Sequence, residues 1–268
     1  MKEQEIYYDP ECKMCAWYTG AMVNRGILQE KGRKAYQELS EKDDLWIDRN
    51  RARNEIALVD THSGRVNYGV DSFLYLFASR WPRLQRVFQS QTLKSLAQPL
   101  YKFISYNRKV ISPPEVFEEE GSCTPDFNIS MRVAYILITW VITSVILTMY
   151  SHLLFPIVPG SGFGREFLIC GGQILFQASI LKGIGSKRII HYLGNMMTIS
   201  ALGAIGFLPL LALSTVFEIS PLIALMVFAM TVFVMFLEHL RRVKYLQLPW
   251  FITLTWILYR VLVLLFIL

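Results

Sequence analysis

Glu5-Ile6-Tyr7-Tyr8-Asp9-Pro10-Glu11-Cys12-Lys13-Met14-Cys15-Ala16-Trp17-Tyr18 is the stretch whose reading decides the first half of the chain. Its β-prone start predicts a strand over 5–9, and the pattern that follows predicts a helix over 12–26. Two thiols three residues apart therefore fall at a helix N-terminus, where unpaired N–H groups and the helix dipole stabilise a thiolate. The second thiol lies one turn along, in reach of the first sulfur. This pattern points to thiol–disulfide exchange, with Cys12 the attacking thiolate, expected to be the more exposed of the pair, and Cys15 the resolving thiol.

The competing reading of Cys12 and Cys15 is half of a zinc site or a pair of inert thiols. Zinc takes about four ligands, and the chain has no second CxxC and no His-x-x-x-His. No metal and no cofactor is therefore expected. Of the other two cysteines, Cys123, in a linker two residues before Pro125, is in a position either to reach the CxxC pair or to be a solvent-exposed thiol, the exposed reading being the expected one. Cys170 is expected to be a small packing residue in an apolar helix. His191 and His239 near helix ends are expected to be boundary residues, not haem ligands.

After the helix, 29–40 is charged and predicts a second helical stretch. Glu55-Ile-Ala-Leu-Val-Asp60, then Thr-His-Ser-Gly, then Arg65-Val-Asn-Tyr-Gly69 predicts a hairpin. Phe73, Leu74, Leu76 and Phe77 recur at helical spacing behind a cap region at Asp71-Ser72. Residues 116–130, Pro-rich and acidic, predict a linker.

Asp9-Pro10-Glu11-Cys12-Lys13-Met14-Cys15 resembles the Asp-x-x-Cys-x-x-Cys signature of the DCC family of thiol–disulfide oxidoreductase-like proteins. Gly69-Val70-Asp71-Ser72 resembles that family's Gly-x-Asp-Ala/Ser helix start, and Tyr101 to Asn107-Arg108 its closing Tyr…Asn-Arg helix. The resemblance covers about 100 residues, from Ile6 to Ile111. It implies a thioredoxin-like α/β domain over 1–115, redox activity at Cys12 and Cys15, and a role for Asp9 in orienting the turn or relaying a proton. Pro10 stands where the family commonly has Gly. Arg51 to Glu55 holds no proline of the kind thioredoxin places before its hairpin.

From about Ser130 the chain changes solvent. Its apolar runs suit a bilayer core, which takes about 20 helical residues to cross. An all-α polytopic membrane domain over 131–268 is expected, with about five spans: Met131–Phe155, Glu166–Leu181, Ile189–Leu213, Ile219–Leu237 and Leu248–Leu268. Gln173 and Gln177 share a helix face, Gly171 and Gly172 invite a neighbouring helix, and Arg260 is expected to pair with Glu218 or Glu166. The N-terminus lacks an apolar leader run, so the first domain is expected in the cytosol. Lys182, Lys187, Arg188, Arg241, Arg242 and Lys244 then fall on that side with only Arg165 opposite, and Arg108, Lys109 and Arg132 precede the first span. The C-terminus is expected on the far side.

The net charge of +6 belongs to the apolar half, since residues 1–130 balance 18 Lys and Arg against 18 Asp and Glu. No nucleic-acid partner is expected on that balance. The expected partners are a protein or small thiol or disulfide substrate and the lipid bilayer. The alternative function is a non-enzymatic transporter-like or assembly protein that uses its first domain as a redox-sensing or docking module.

Overall fold

The computed structural model describes residues 4–40, 43–114 and 123–267. The chain forms two compact units, Met1–Met131 and Arg132–Leu268.

In the first unit β1 (Gln4–Tyr8) leads through the CxxC turn into α1 (Lys13–Asn24) and on to β2 (Arg33–Ala35), which pairs parallel with β1. A short helix α2 (Arg49–Asn54) precedes β3 (Ala57–Asp60) and β4 (Arg65–Tyr68), an antiparallel hairpin whose first strand lies antiparallel to β1. The sheet order is β2-β1-β3-β4. Helices α3 (Val70–Arg80), α4 (Gln85–Phe88) and α5 (Gln91–Ile111) follow. Alternation along the strands feeds two cores. Ile6 and Leu58 pack with Met22, Leu28, Ile56 and Leu76 on one face, and Tyr7 and Ala57 with Leu39, Ile47 and Ala52 on the other.

The helix expected over 29–40 is absent. Two single 3₁₀ turns, Glu30–Gly32 and Tyr36–Glu38, flank β2 instead. Local propensity favours a helix there, but α1 ends in Gly26 at φ +64 and returns the chain along the free edge of β1. At Gly32 a Cβ would collide with the Gln4 carbonyl, so the approach admits only glycine. Lys34 pairs with Glu5 at 2.7 Å across the new edge, and the Arg33 guanidinium lies 4.3 Å from the Tyr8 ring centre. The hairpin forms where expected. The cap of α3 is Gly69 at φ +58 instead of Asp71-Ser72, and the Ser72 hydroxyl donates to the Asn67 carbonyl, fastening α3 to β4.

The stretch expected to be a linker lies partly outside the described residues, at 115–122. From Cys123 onward it is tied to the first unit. Asp126 pairs with Arg53 and accepts from Asn54, and Asn107 of α5 donates to the Met131 carbonyl.

The second unit holds α6 (Ile129–Ser151), α7 (Phe163–Gly183), α8 (Ile189–Gly206), α9 (Leu208–Ser214), α10 (Pro221–Tyr245) and α11 (Phe251–Ile267). Three stretches are long and apolar enough to cross a membrane: Ile129–Leu154, Ile189–Ser214 and Pro221–Tyr245. α11 has 17 residues, and α7 has 21 but carries Arg165, Glu166, Gln173 and Gln177. α10 runs to Tyr245, so Arg241, Arg242 and Lys244 belong to its last turns, where cations oppose the helix dipole.

Polar side chains fasten these helices together. Gly171 lies under the Trp140 ring and Gly172 under the Tyr259 hydroxyl, which donates to the Ile169 carbonyl at 2.8 Å. Gln177 bonds Thr255. Arg242, 3 % exposed, bridges Glu238 at 2.7 Å and Asn195 at 2.9 Å. Arg260 does not pair with a carboxylate as expected. Its Nε donates to Gln173 Oε1 at 3.0 Å and its guanidinium lies 5.4 Å from the Trp256 ring centre, while Glu166 is taken by Arg165. A neutral amide on the adjacent helix meets the guanidinium without the desolvation cost of a second buried ion.

Gln173→Leu and Arg260→Leu are expected each to lower the thermal stability of the detergent-solubilised chain, with the double variant less than additive by about 0.6–2 kcal/mol. Glu218→Gln in the Arg260→Leu background is expected to add nothing. Additivity of the first pair would show that Arg260 and Gln173 do not act together.

Candidate functional site

α1 starts on a thiol. Cys12 has extended backbone, φ −81 and ψ 104, and its Sγ accepts the Cys15 N–H at 3.5 Å, so the sulfur takes the place of an N-cap oxygen. The turn before it is held by Asp9, whose Oδ1 accepts from the N–H of Glu11 at 3.1 Å and of Cys12 at 3.3 Å. Pro10 needs no partner in this turn, having no N–H to satisfy. The Thr19 hydroxyl donates to the Cys15 carbonyl and accepts from Arg33, joining α1 to β2.

The last turns of α5 deliver two cations to the same turn. Arg108 Nε lies 3.6 Å and Lys109 Nζ 3.4 Å from Asp9 Oδ2, and Lys109 lies 3.8 Å from Glu11. Asp9, Arg108 and Lys109 are all buried. Arg108 also donates to the Arg53 carbonyl at 2.9 Å, to Ser105 Oγ at 3.2 Å, and to both the carbonyl and, at 3.4 Å, the Sγ of Cys123. Burial works against its charge, but Cys123, Cys15, Asp9 and Cys12 around it hold the guanidinium firmly protonated.

The two thiols of the pair are driven apart in acidity. The Cys12 thiol is lowered to about 7, first by the hydrogen bond from the Cys15 thiol; burial opposes this, while the Cys15 N–H and the Arg108 charge assist. The same hydrogen bond pushes the Cys15 thiol well above the usual thiol range, and burial adds to it. Burial also pushes Cys123 up to about 12, against the pull of Arg108. One acidic and one retained proton on neighbouring sulfurs is what stepwise exchange requires.

Beside the pair is a mainly apolar cavity of about 400 Å³, walled by Cys15, Cys123, Arg108, Trp17, Tyr18 and Tyr101 among others. Cys12 is not among its walls. The expected exposure of Cys12 is reversed: it is 0 % exposed and Cys15 6 %, because the N-cap sulfur sits beneath the Asp9 turn. Cys123, expected in solvent, is 3 % exposed because Arg108 draws it inward. Arg108, Lys109 and Arg132, counted in sequence as charges flanking the first span, are buried as well.

The remaining candidates lie elsewhere. Cys170 is buried in α7. His239 has both ring nitrogens engaged, Nε2 with the Tyr192 hydroxyl at 2.9 Å and Nδ1 with Thr253 Oγ1 at 3.0 Å, and stacks on Trp256, so it has no nitrogen to offer an iron. His191 gives its carbonyl to Asn195 one turn on. Among the described residues no group of three or more His, Cys, Asp or Glu could hold a metal ion. The sequence marked Arg108 only as part of the closing-helix resemblance, without placing it at the thiols, and favoured solvent over the CxxC pair for Cys123. The partners of both are far along the chain. The chain matches no protein-family profile, no curated protein and no solved structure.

Arg108→Met is expected to move the titration midpoint of the Cys12 thiolate, followed by its ultraviolet absorbance, upward from about 7, since it removes a positive charge that favours the anion. It should also cost about 3–5 kcal/mol of stability by breaking a buried ion pair. Arg108→Lys should keep more of the acidity than of the stability, because an ammonium restores charge without the planar fork of donors.

Proposed function

We propose that the chain is a membrane-tethered thiol–disulfide oxidoreductase whose first unit is a thioredoxin-like domain of the DCC type. The observation that carries the reading is the Cys12 sulfur capping α1, lowered to about 7 beside a Cys15 thiol that keeps its proton. The order of elements supports it: a βαβ unit with the CxxC at the crossover helix, then an antiparallel hairpin and closing helices, is the arrangement the resemblance calls for.

The chemistry follows from the two acidities. The Cys12 thiolate attacks one sulfur of a substrate disulfide, forming a mixed disulfide and expelling the other sulfur as a thiolate that takes up a proton. Cys15 loses its proton and attacks Cys12 Sγ, and the second substrate sulfur leaves with the pair of electrons. The products are an oxidised Cys12–Cys15 pair and two substrate thiols, and the reverse sequence oxidises a dithiol. Asp9 orients the turn that presents Cys12, and Arg108 favours the anion. Because Cys12 is enclosed, exchange proceeds through an opening of the α1 start.

In the membrane we read five crossings, with α7 and α11 joining the three long apolar helices, α7 turning its glutamines to neighbouring helices. A cytosolic first unit agrees with the positive residues at Lys182, Lys187, Arg188, Arg241 and Lys244.

Cys15→Ser is expected to trap a mixed disulfide through Cys12, and Cys12→Ser to trap little. The rate of iodoacetamide labelling at Cys12 should rise with a midpoint near 7, not near the unperturbed value of about 8.5; the midpoint is the readout, since enclosure slows the absolute rate. An unperturbed midpoint together with failure to form an oxidised pair would leave the docking-module alternative.

A further inference from the structure

The balanced charge of residues 1–130 hides a segregation. From Ser72 to Pro114 the chain has no Asp or Glu and carries Arg80, Arg83, Arg86, Lys94, Lys102, Arg108 and Lys109. Lys94 is neutralised by Asp71, and Arg108 and Lys109 are buried at the thiol site. Arg80, Arg83 and Arg86 are exposed and make no ion pair among the described residues.

The same stretch presents apolar side chains that the described residues leave exposed. Trp81 is 42 % exposed, Leu96 69 % and Leu100 61 %, and Leu84 and Val87 are exposed between the arginines. Leu96 and Leu100 stand one turn apart on α5 and share a face. Trp81 is held by Phe77 and Phe88, with ring centres 5.8 and 6.4 Å away, so its ring is a fixed projection. Fixed aromatic and leucine side chains interleaved with unpaired arginines have the composition of an interfacial segment, apolar groups in the acyl boundary and cations at the headgroups.

A bilayer is at hand. The first span-length helix begins at Ile129, and its opening turn is still bonded to α5 through Asn107 and Met131. The unit that carries this stretch therefore never leaves the neighbourhood of a membrane surface, which makes docking an intramolecular event.

We propose that the exposed stretch from Arg80 to Leu100, through Arg80, Trp81, Arg83, Arg86, Leu96 and Leu100, docks on the anionic lipid surface of the bilayer that carries the chain. The three arginines supply electrostatic attraction, about fivefold in affinity each near a negatively charged leaflet, and the tryptophan and leucines supply shallow apolar insertion. The docking is independent of the thiol chemistry and survives failure of the oxidoreductase reading.

The test is amide hydrogen exchange of the full chain, one copy per nanodisc, in phosphatidylcholine alone and with phosphatidylglycerol added. Exchange from Trp81 to Leu96 is expected to slow about tenfold in the anionic discs and to recover in high salt. Replacing Arg80, Arg83 and Arg86 together by Gln, or Leu96 and Leu100 together by Ser, should abolish the slowing while exchange in β1 and β3 stays unchanged. Should a variant fail to fold, the wild-type comparison between the two lipids still decides. Equal exchange in both lipids overturns the proposal. So does protection that arises only with two chains per disc, or only when an oligonucleotide is added.

Discussion

Arg108 is the ion on which the first unit closes. A guanidinium this buried is costly unless its charge is met. Here Nη1 and Nη2 donate hydrogen bonds while Nε faces the Asp9 carboxylate at 3.6 Å, an ion-pair distance without a hydrogen bond. The partners come from four separate stretches: Asp9 before α1, Arg53 at the end of α2, Ser105 on its own helix and Cys123 from the segment leading to α6. Meeting Arg108 therefore fixes where each stretch lies. The thiol site is a by-product of that closure, because the Asp9 turn that answers Arg108 with one carboxylate oxygen positions the Cys12 N–H with the other.

The membrane-half interior obeys a different economy. Lipid offers no hydrophobic drive between helices, so close packing and hydrogen bonds supply specificity. Glycines at 171, 172 and 203 admit the Trp140, Tyr259 and Met235 side chains, and two arginines of the interior find neutral or locally paired partners. Arg242 uses Glu238 of its own helix plus Asn195, and Arg260 uses Gln173. Both arrangements avoid placing an isolated charge in an apolar interior.

Elements whose signal is local were legible in the sequence. The strand before the CxxC, α1, the hairpin around Asp60 and Arg65 and the long apolar helices all rest on periodicity and turn chemistry within a few residues. β2 was not legible, since the pull of the β1 edge and the collision at Gly32 overrule a helix-prone stretch. The thiol pair was legible as a motif, but its enclosure was not. Nothing near Cys12 in sequence announces a cation arriving from residue 108, and the third sulfur, from residue 123, was open between that site and solvent. Arg260 failed in the same way: charge suggested a carboxylate, and packing supplied an amide.

The return of Cys123 to Arg108 has a consequence for how the chain divides. Neighbours along the sequence and neighbours in space part company here, since the strip from Cys123 to Met131 follows the proline-rich stretch yet completes the wall of the earlier unit. A fragment that stops at residue 115 would keep every strand and helix of that unit and still be missing a side of its own cavity, two acceptors of its central cation and the carboxylate that caps Arg53. The unit's natural edge is the first turn of a membrane helix. Going back along the chain from α6, the ties to the rest of the unit come in the order Met131 to Asn107, Asp126 to Arg53 and Asn54, and only then Cys123 to Arg108.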